Sequence, residues 1–189
     1  MTDADREKWD RKYADKSPAN CPAPDDWVTA CLKKTTPGRA LDLACGLGQN
    51  ALLLSEWGWD VDAVDISSNG IKTAQEISES REVTVNWICA DLDEWRPKNS
   101  YHAILTFRFL DWVIIPEIVQ KGLKPGGLFC FETFARSQMQ RPDNHLKNPA
   151  FTVDPVDFDR YLPFLSTERL EQAHLPDRDV VRFLGKMKI

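Results

Sequence analysis

The sequence lacks the cysteine patterns of secreted and zinc-binding proteins. It contains five cysteines, an odd number, and none of them forms a C-x-x-C pair. Neither a disulfide framework nor a zinc site is therefore indicated, and we expect a reducing, cytoplasmic environment and no bound metal. The three histidines are separated along the chain and have no partner pattern, so none is assigned to catalysis.

The sequence also lacks long apolar runs and an excess of positive charge. No segment approaches the roughly 18 apolar residues that a membrane helix needs, and the charged N-terminus has no apolar signal-peptide core. We therefore expect a chain that is neither exported nor anchored in a membrane. Its 24 Lys and Arg against 29 Asp and Glu give a net charge of −5, which disfavours nucleic acid as a partner.

What the sequence does contain is an alternation of short apolar runs and helical stretches from Arg39 onward. This alternation predicts successive βα units, and 189 residues suffice for one domain. We predict an α/β fold, doubly wound, with a mostly parallel seven-stranded sheet and an antiparallel C-terminal hairpin. The predicted strands cover residues 40–44, 60–65, 83–89, 103–107, 127–133, 164–173 and 180–188, and the main helices cover 49–57, 68–80 and 111–123.

The single domain, residues 1–189, divides into four parts along the chain. We expect residues 1–38 to form an N-terminal helical cap and residues 39–134 to form the core of the fold. Residues 135–163 are polar and broken by prolines, which predicts a long ordered loop followed by a helix on the substrate side. Residues 164–189 form the terminal hairpin.

The strongest local signal is LDLACGLGQNA, a buried strand that passes through a turn of small residues into a helix. Gly46 and Gly48 let the backbone bend sharply and approach a ligand, and the N–H groups of the next helix favour polar ligand groups. A nucleoside cofactor fits there. A plain strand-to-helix turn is the alternative interpretation of the same residues.

A carboxylate follows at the expected spacing. Asp65 ends the predicted strand 60–65 and lies 19 residues after Gly46, close to the roughly 20 residues at which an acid accepts both ribose hydroxyls. Asp62 is the competing carboxylate, but strand alternation directs it away from the C-terminal end of the strand. A solvated surface charge is the alternative for Asp65.

A third acid, Asp91, follows the next strand. It is able to accept from the exocyclic amine of adenine, while the Leu92 backbone N–H donates to a ring nitrogen; a simple helix N-cap explains Asp91 equally well. Because parallel sheets bind ligands beyond the carboxyl ends of their strands, we expect Asp42, Asp65 and Asp91 near one edge.

These motifs resemble the class I S-adenosylmethionine-dependent methyltransferases, which have a Rossmann-like fold. LDLACGLGQNALLL resembles the first motif of that family, VDAVDIS the ribose-binding motif, ICADLDEW the adenine-binding motif, and LKPGGL the turn into the fifth strand. The resemblance covers residues 39–133. The ACGxGxN form and the N-terminal WDRKY are most similar to the small-molecule branch that contains the tellurite-resistance and thiopurine methyltransferases.

The resemblance implies S-adenosylmethionine as the cofactor. In the family pattern the turn at 44–46 lines the methionine, Asp65 holds the ribose, Ile66 packs on the adenine and Phe107 lies beside the sulfonium. Ala44 replaces the usual first glycine and Gln49 a third, which argues against a pyrophosphate-binding loop. The expected cofactor-binding residues are Trp9, Tyr13, Asp42, Ala44, Cys45, Gly46, Gly48, Asn50, Asp65, Ile66, Ala90, Asp91, Leu92, Thr106 and Phe107. For Trp9 and Tyr13, an aromatic lid and ordinary helix packing remain alternatives.

The sequence indicates less about the residues that bind the methyl acceptor. The chain lacks the N/D-P-P-Y element of methyltransferases that act on exocyclic amines, so adenine and glutamine amines are poor candidates. Arg108, Glu132 and Arg136 are expected at the acceptor edge, where two arginines suit an anionic small molecule; salt bridging among them is the alternative. We expect a monomer or homodimer that methylates a small molecule. The competing functions are a nicotinamide-dependent oxidoreductase and a non-catalytic member that binds a protein partner.

Overall fold

The computed structural model describes residues 3–189, and its centre is an eight-stranded sheet with helices on both faces. The strands are β1 (Arg39–Leu43), β2 (Asp60–Asp65), β3 (Asn86–Cys89), β4 (Tyr101–Phe107), β5 (Leu123–Ala135), β6 (Thr152–Val153), β7 (Leu165–His174) and β8 (Asp179–Met187). The helices are α1 (Asp3–Tyr13), α2 (Asp26–Leu32), α3 (Gln49–Glu56), α4 (Ser68–Ser80), α5 (Ile114–Gly122) and α6 (Asp157–Tyr161).

The strand order confirms the predicted fold class. Seven strands follow the path β3-β2-β1-β4-β5-β8-β7, in which the first five are parallel and β8 and β7 form an antiparallel hairpin against β5. The eighth strand, β6, was not predicted. It pairs in parallel with the end of β5 inside the segment expected to be a long ordered loop, which also contains short 3-10 turns at Arg136–Gln140 and Pro149–Phe151.

Most predicted boundaries are shifted by a few residues. β2 and α4 begin and end where predicted, whereas the third strand starts at Asn86 rather than residue 83, since its pairing with β2 begins there opposite Asp62. The predicted start of α5 at Asp111 is wrong by three residues. Asp111 lies outside the helix and caps it, because its Oδ1 accepts from the backbone N–H of Ile114 at 2.8 Å.

Two apolar clusters, one on each face of the sheet, hold these elements together. One joins α5, α6 and the β5–β8 pair and includes the stacked rings of Phe158 and Phe183, whose centroids are 4.3 Å apart. The other joins α2, α3 and α4 to β1 and β2 around the buried side chains of Trp27 and Leu54. Each such side chain contributes about 1.5–3 kcal/mol through burial, so the sheet is a rigid platform for its loops.

The first helix is attached differently. The first turn of α1 is acidic and its last turn basic, which suits the helix dipole, but none of its side chains is fully buried. Polar contacts from Asp10 to Ser67 and Asn69 hold it on the N-terminal end of α4. Its last turn therefore lies above the C-terminal ends of β1 and β2. Within residues 3–189, no helix is both long enough and apolar enough to span a bilayer.

Candidate active site

A cavity of about 440 Å³ lies at the C-terminal ends of β1, β2 and β4, under the last turn of α1. Of the residues predicted from the sequence, it is lined by Trp9, Tyr13, Asp42, Ala44, Cys45, Gly46, Asn50, Asp65, Ile66, Leu92, Phe107 and Arg108. The structure thus brings together residues from five separate stretches of the chain. Lys12, Lys16, Gln49 and Phe109 also line it, and sequence reasoning did not select them as site residues.

The turn between β1 and α3 bends through left-handed backbone at alternate residues. Ala44, Gly46 and Gly48 have φ of 55°, 58° and 75°, and Ala44 is the one that does not have glycine's freedom to adopt this conformation. A Cβ at Gly46 would lie 2.7 Å from the Tyr13 hydroxyl. Tyr13 therefore packs directly on the turn, and a larger residue at position 46 would displace it.

The missing side chain at Gly48 makes room for a different neighbour, Trp87. A Cβ there would overlap the ring of Trp87, which packs against the outside of the turn, and Gly48 does not line the cavity. Its prediction as a cofactor-binding residue therefore rests on its effect on the turn and not on exposure to the cavity.

Asp65 is held by the backbone at the base of the cavity. Its two carboxylate oxygens accept from the N–H groups of Gly46 at 2.8 Å and Ser67 at 2.9 Å. Burial raises the pKa of Asp65, although these N–H groups favour its charged form. Each oxygen keeps a second lone pair, so the carboxylate can accept two hydroxyl donors from one ligand.

Asp62, the competing carboxylate, has a separate role. It is buried among Arg39, Asn86 and Tyr101, whose hydroxyl donates to it at 2.6 Å, and it does not line the cavity. Burial alone would raise the pKa of Asp62, but these hydrogen bonds and the Arg39 charge lower it. The structure therefore places Asp62 in a buried polar cluster within the sheet.

The Asp42 side chain lines the same cavity as Asp65 and is almost fully buried. Burial raises its pKa to about 8, and the nearby Asp25 carboxylate adds to that rise, while the Ala51 backbone N–H and the Arg108 guanidinium oppose it. The folded state therefore favours protonated Asp42 at neutral pH. A ligand cation beside Asp42 favours its charged form.

Arg108 is a cation of the cavity wall, and a buried carboxylate compensates its charge. Its two terminal nitrogens donate to the two oxygens of Asp25 at 2.5 and 2.8 Å. Asp25 is fixed in turn by Asn50, whose amide nitrogen donates to it at 3.0 Å and whose oxygen accepts from the Asp25 backbone N–H at 2.9 Å. Sequence reasoning missed Asp25, which no local pattern links to Arg108.

Behind this pair lies a second buried charge pair. Glu132 is 1% exposed, and one of its oxygens accepts from Arg182 Nε at 2.8 Å. Its other oxygen has no hydrogen-bond partner and lies 3.7 Å from Arg108. Burial raises the pKa of Glu132, and the Arg182 charge opposes that rise. Glu132 therefore lies behind Arg108, within ion-pair distance of it, and does not line the cavity.

Basic and aromatic side chains of α1 close the upper side of the cavity. Lys12 lies over the Trp9 ring, with its Nζ 4.2 Å from the ring centroid, and Tyr13 stacks near Trp9 at 6.1 Å. Burial lowers the pKa of Lys12, and Arg108 adds to that effect through charge repulsion. Burial also raises the pKa of Tyr13 well above its usual value, so its hydroxyl is neutral at neutral pH.

The other predicted site residues lie outside the cavity. Thr106 is fully buried, and its hydroxyl donates to the Leu43 carbonyl. Asp91 accepts from the Asp93 backbone N–H at 2.9 Å and begins a turn, not a helix. Arg136 is 66% exposed and lies near Asp154 and Asp157. Ala90 also does not line the cavity.

The arrangement suits a ligand that combines hydroxyls, a cation and a flat apolar ring. Asp65 supplies a fixed two-hydroxyl acceptor, Asp42 a buried carboxyl group, and Ile66 and Leu92 apolar walls. A cavity of this size lies within the roughly 300–1,000 Å³ typical of sites for small organic ligands. The donor set therefore fits an adenosyl group joined to an amino acid.

The family model described as "Tellurite resistance protein TehB" matches residues 8–133, which is two thirds of the sequence. The chain belongs to this family. The resemblance seen in the sequence motifs is thereby confirmed, including its branch.

Two curated relatives carry related names. A malonyl-[acyl-carrier protein] O-methyltransferase from Ilyobacter polytropus is 28% identical over 70% of this chain and 51% of its own length. A probable S-adenosyl-L-methionine-dependent methyltransferase TehB from Haemophilus influenzae is 30% identical over 49% of this chain and 34% of its own length. The matches thus span about half or less of these relatives. Both relatives are named as methyltransferases, so the nicotinamide alternative is not favoured.

A solved structure of TehB from Haemophilus influenzae has the same fold. It superposes with a TM-score of 0.73 at 21% identity, covering 89% of this chain and 64% of that chain. At this identity the similarity supports the fold, and it agrees with the predicted parallel sheet and terminal hairpin.

Proposed function

We propose that this chain is an S-adenosylmethionine-dependent methyltransferase that acts on a small molecule. The observation that carries the proposal is Asp65, a buried carboxylate whose two oxygens are fixed by the Gly46 and Ser67 N–H groups at the base of the cavity. Such a group in a βα turn accepts the paired hydroxyls of a ribose. The family assignment supports the same cofactor.

The residues that would hold the cofactor come from three strand ends. Asp65 would accept the ribose hydroxyls, Ile66 and Leu92 would enclose the adenine, and Asp42 would face the amino group of the methionine part. A cationic amino group beside Asp42 would favour its charged form, whose pKa burial otherwise raises to about 8. Asp91 and Ala90 remain predicted contacts of the adenine edge.

When bound, S-adenosylmethionine supplies a methyl group on a positively charged sulfur. The chain's own residues then have three tasks, which are to orient the acceptor, to exclude water and to leave the acceptor atom unprotonated. Tyr13 and Trp9 cover the cavity and exclude water, while Phe107 and Phe109 provide apolar wall. A dedicated acid is unnecessary because the leaving group is neutral.

For the acceptor, the charges in the cavity favour a small anion or a soft nucleophile. Lys12 and Lys16 line the cavity, and within residues 3–189 neither has a carboxylate at ion-pair distance. Arg108 is compensated by Asp25, so it holds the cavity wall in shape more than it attracts an anion. A cytoplasmic location fits five cysteines that are all free thiols.

Calorimetric titration of the purified chain with S-adenosylmethionine, S-adenosylhomocysteine and NAD tests the proposal. We expect micromolar binding of the two adenosyl compounds and none of NAD. A panel of thiol, carboxylate and chalcogen-oxyanion acceptors is then assayed for methylated product. Binding of NAD in preference to the adenosyl compounds would overturn the proposal, and so would the absence of product with every acceptor.

A further inference from the structure

A second cavity, of about 360 Å³, opens at the same edge of the sheet as the candidate active site. It lies beyond the ends of β4 and β5, between Trp112, which follows β4, and Arg136, which directly follows β5. The same two strands end in Phe107 and, near the end of β5, Phe134, which line the first cavity. Both cavities therefore belong to the side of the sheet on which parallel α/β folds bind ligands.

The second cavity carries two arginines whose N–H groups are available. The guanidinium of Arg160 lies over the Tyr161 ring, 5.1 Å from its centroid, and no carboxylate of residues 3–189 pairs with it. Arg136 has Asp154 and Asp157 at 3.8 and 3.9 Å, distances longer than a hydrogen bond. Asp157 also lines the cavity, and its Oδ2 accepts from the Asp154 backbone N–H at 2.8 Å. Arg136 is therefore partly compensated, whereas the positive charge of Arg160 has no carboxylate of residues 3–189 at ion-pair distance.

A fixed aromatic wall stands beside these arginines. The rings of Trp112 and Tyr161 stack with centroids 4.7 Å apart and planes within 8° of parallel. Trp112 also meets Phe158 edge to face at 5.8 Å, and Phe158 belongs to the buried core. Phe131 also stacks on Trp112, and the Arg160 guanidinium lies over Tyr161, so a ligand meets the edges of these two rings. The wall is held by the fold itself, so little ordering is needed when an apolar group packs on it.

We propose that this second cavity binds the anionic end, a carboxylate or a phosphate, of an organic methyl acceptor whose ring packs against the edges of Trp112 and Tyr161. The inference rests on the proposed function, because it assigns the acceptor of that reaction. The planar guanidinium groups of Arg160, which has no carboxylate partner among residues 3–189, and of Arg136, which makes no hydrogen bond to its two carboxylates, suit both anions through paired N–H donors. The acceptor is then a larger molecule than a bare chalcogen oxyanion, and it reaches from this cavity to the first one.

Titration of small aryl anions into the protein saturated with S-adenosylhomocysteine tests the site. The probes are benzoate, phenyl phosphate, inorganic phosphate and neutral benzyl alcohol. We expect wild type to bind at least one aryl anion, and to bind it at least tenfold more tightly than benzyl alcohol. Stronger binding of benzoate assigns a carboxylate end, and stronger binding of phenyl phosphate than of both benzoate and inorganic phosphate assigns an aryl phosphate.

The double variant Arg136→Ala/Arg160→Ala should bind that aryl anion at least tenfold more weakly. Arg81→Ala is the matched control, because Arg81 is a half-exposed arginine whose ion pair with Glu56 lies outside both cavities. Both arginines of the double variant are exposed, so circular dichroism should show an unchanged fold. Equal affinity of the double variant and wild type would overturn the proposal, as would the absence of aryl-anion binding by wild type.

The affinity for S-adenosylhomocysteine, measured in the same titrations, separates the two proposals. Normal affinity for this compound without aryl-anion binding overturns the second site and leaves the proposed function standing. Absence of S-adenosylhomocysteine binding by wild type overturns the proposed function, and with it the identification of the second site's ligand as a methyl acceptor.

Discussion

Asp10 accepts a 2.6 Å hydrogen bond from the Ser67 hydroxyl, and this contact joins α1 to the loop that carries Asp65. Ser67 donates its backbone N–H to Asp65, so one side chain of α1 lies two hydrogen bonds from the carboxylate assigned to the ribose. The Ser67 bond holds the pKa of Asp10 below its usual value. Because α1 has no fully buried side chain, this contact is a main anchor of the helix that covers the cavity.

Replacing Asp10→Ala should therefore release α1. A charge-assisted hydrogen bond contributes about 1.5–3 kcal/mol, enough to shift the docking equilibrium by an order of magnitude or more. We expect faster tryptic cleavage at Arg11 and Lys12 and a lower kcat, with a smaller change in cofactor affinity. Glu7→Ala is the control, since Glu7 pairs with Arg11 inside α1. Identical cleavage of Asp10→Ala and wild type would contradict the anchoring role.

Substitutions at Asp65 and at Asp62 should have different effects, the first on cofactor binding and the second on the stability of the fold. Asp65→Asn replaces one acceptor oxygen with an amide that faces a backbone N–H, so we expect roughly a 10–100-fold loss of S-adenosylmethionine affinity. Asp62→Asn weakens the buried cluster around Tyr101 and should lower the free energy of unfolding while leaving cofactor affinity unchanged. Calorimetry and urea denaturation of both variants test the assignment. It fails if Asp62→Asn is the variant that loses affinity.

The position of Asp65 was predictable from sequence because it depends on local order. In a βα unit, the turn after one strand and the end of the next lie side by side, so a spacing of 19 residues from Gly46 is informative. β2 and α4 were also predicted to the residue, since each depends on one short continuous stretch of sequence.

The pair Asp25–Arg108 was not predictable, because it joins residues 83 positions apart. Only the assembled sheet brings the loop before α2 to the end of β4. The same applies to Asp10 and to β6, whose two residues are too short to show a strand period. Arg136 was expected beside Arg108, but the short helical turn that begins at Arg136 directs the chain to the second cavity.

Asp42 should make stability depend on pH. Its pKa is about 8 in the folded chain against an ordinary value of 3.8, so between these values the folded state holds a proton that the unfolded state lacks. The free energy of unfolding should then fall as pH rises from about 4 to 8, by at most about 1.4 kcal/mol per pH unit. The substitution Asp42→Asn removes this contribution to the pH dependence of the free energy of unfolding. Urea denaturation of both proteins at pH 5 and 7.5 measures it, and a pH-independent difference between them would refute it.

Arg108→Leu should destabilise the fold through the partner it leaves behind. Asp25 is buried, and without the guanidinium it keeps only Asn50 as a side-chain donor, which costs about 3 kcal/mol. The control Arg81→Leu breaks an exposed pair and should change the free energy of unfolding little.

The double variant Asp25→Asn/Arg108→Leu decides whether the cost comes from the buried charge. With no carboxylate left unpaired, it should be more stable than Arg108→Leu alone, although two residues have been changed. Urea denaturation at neutral pH gives the comparison. If the double variant instead loses the sum of the two single losses, Arg108 stabilises the fold through its own packing and not through Asp25.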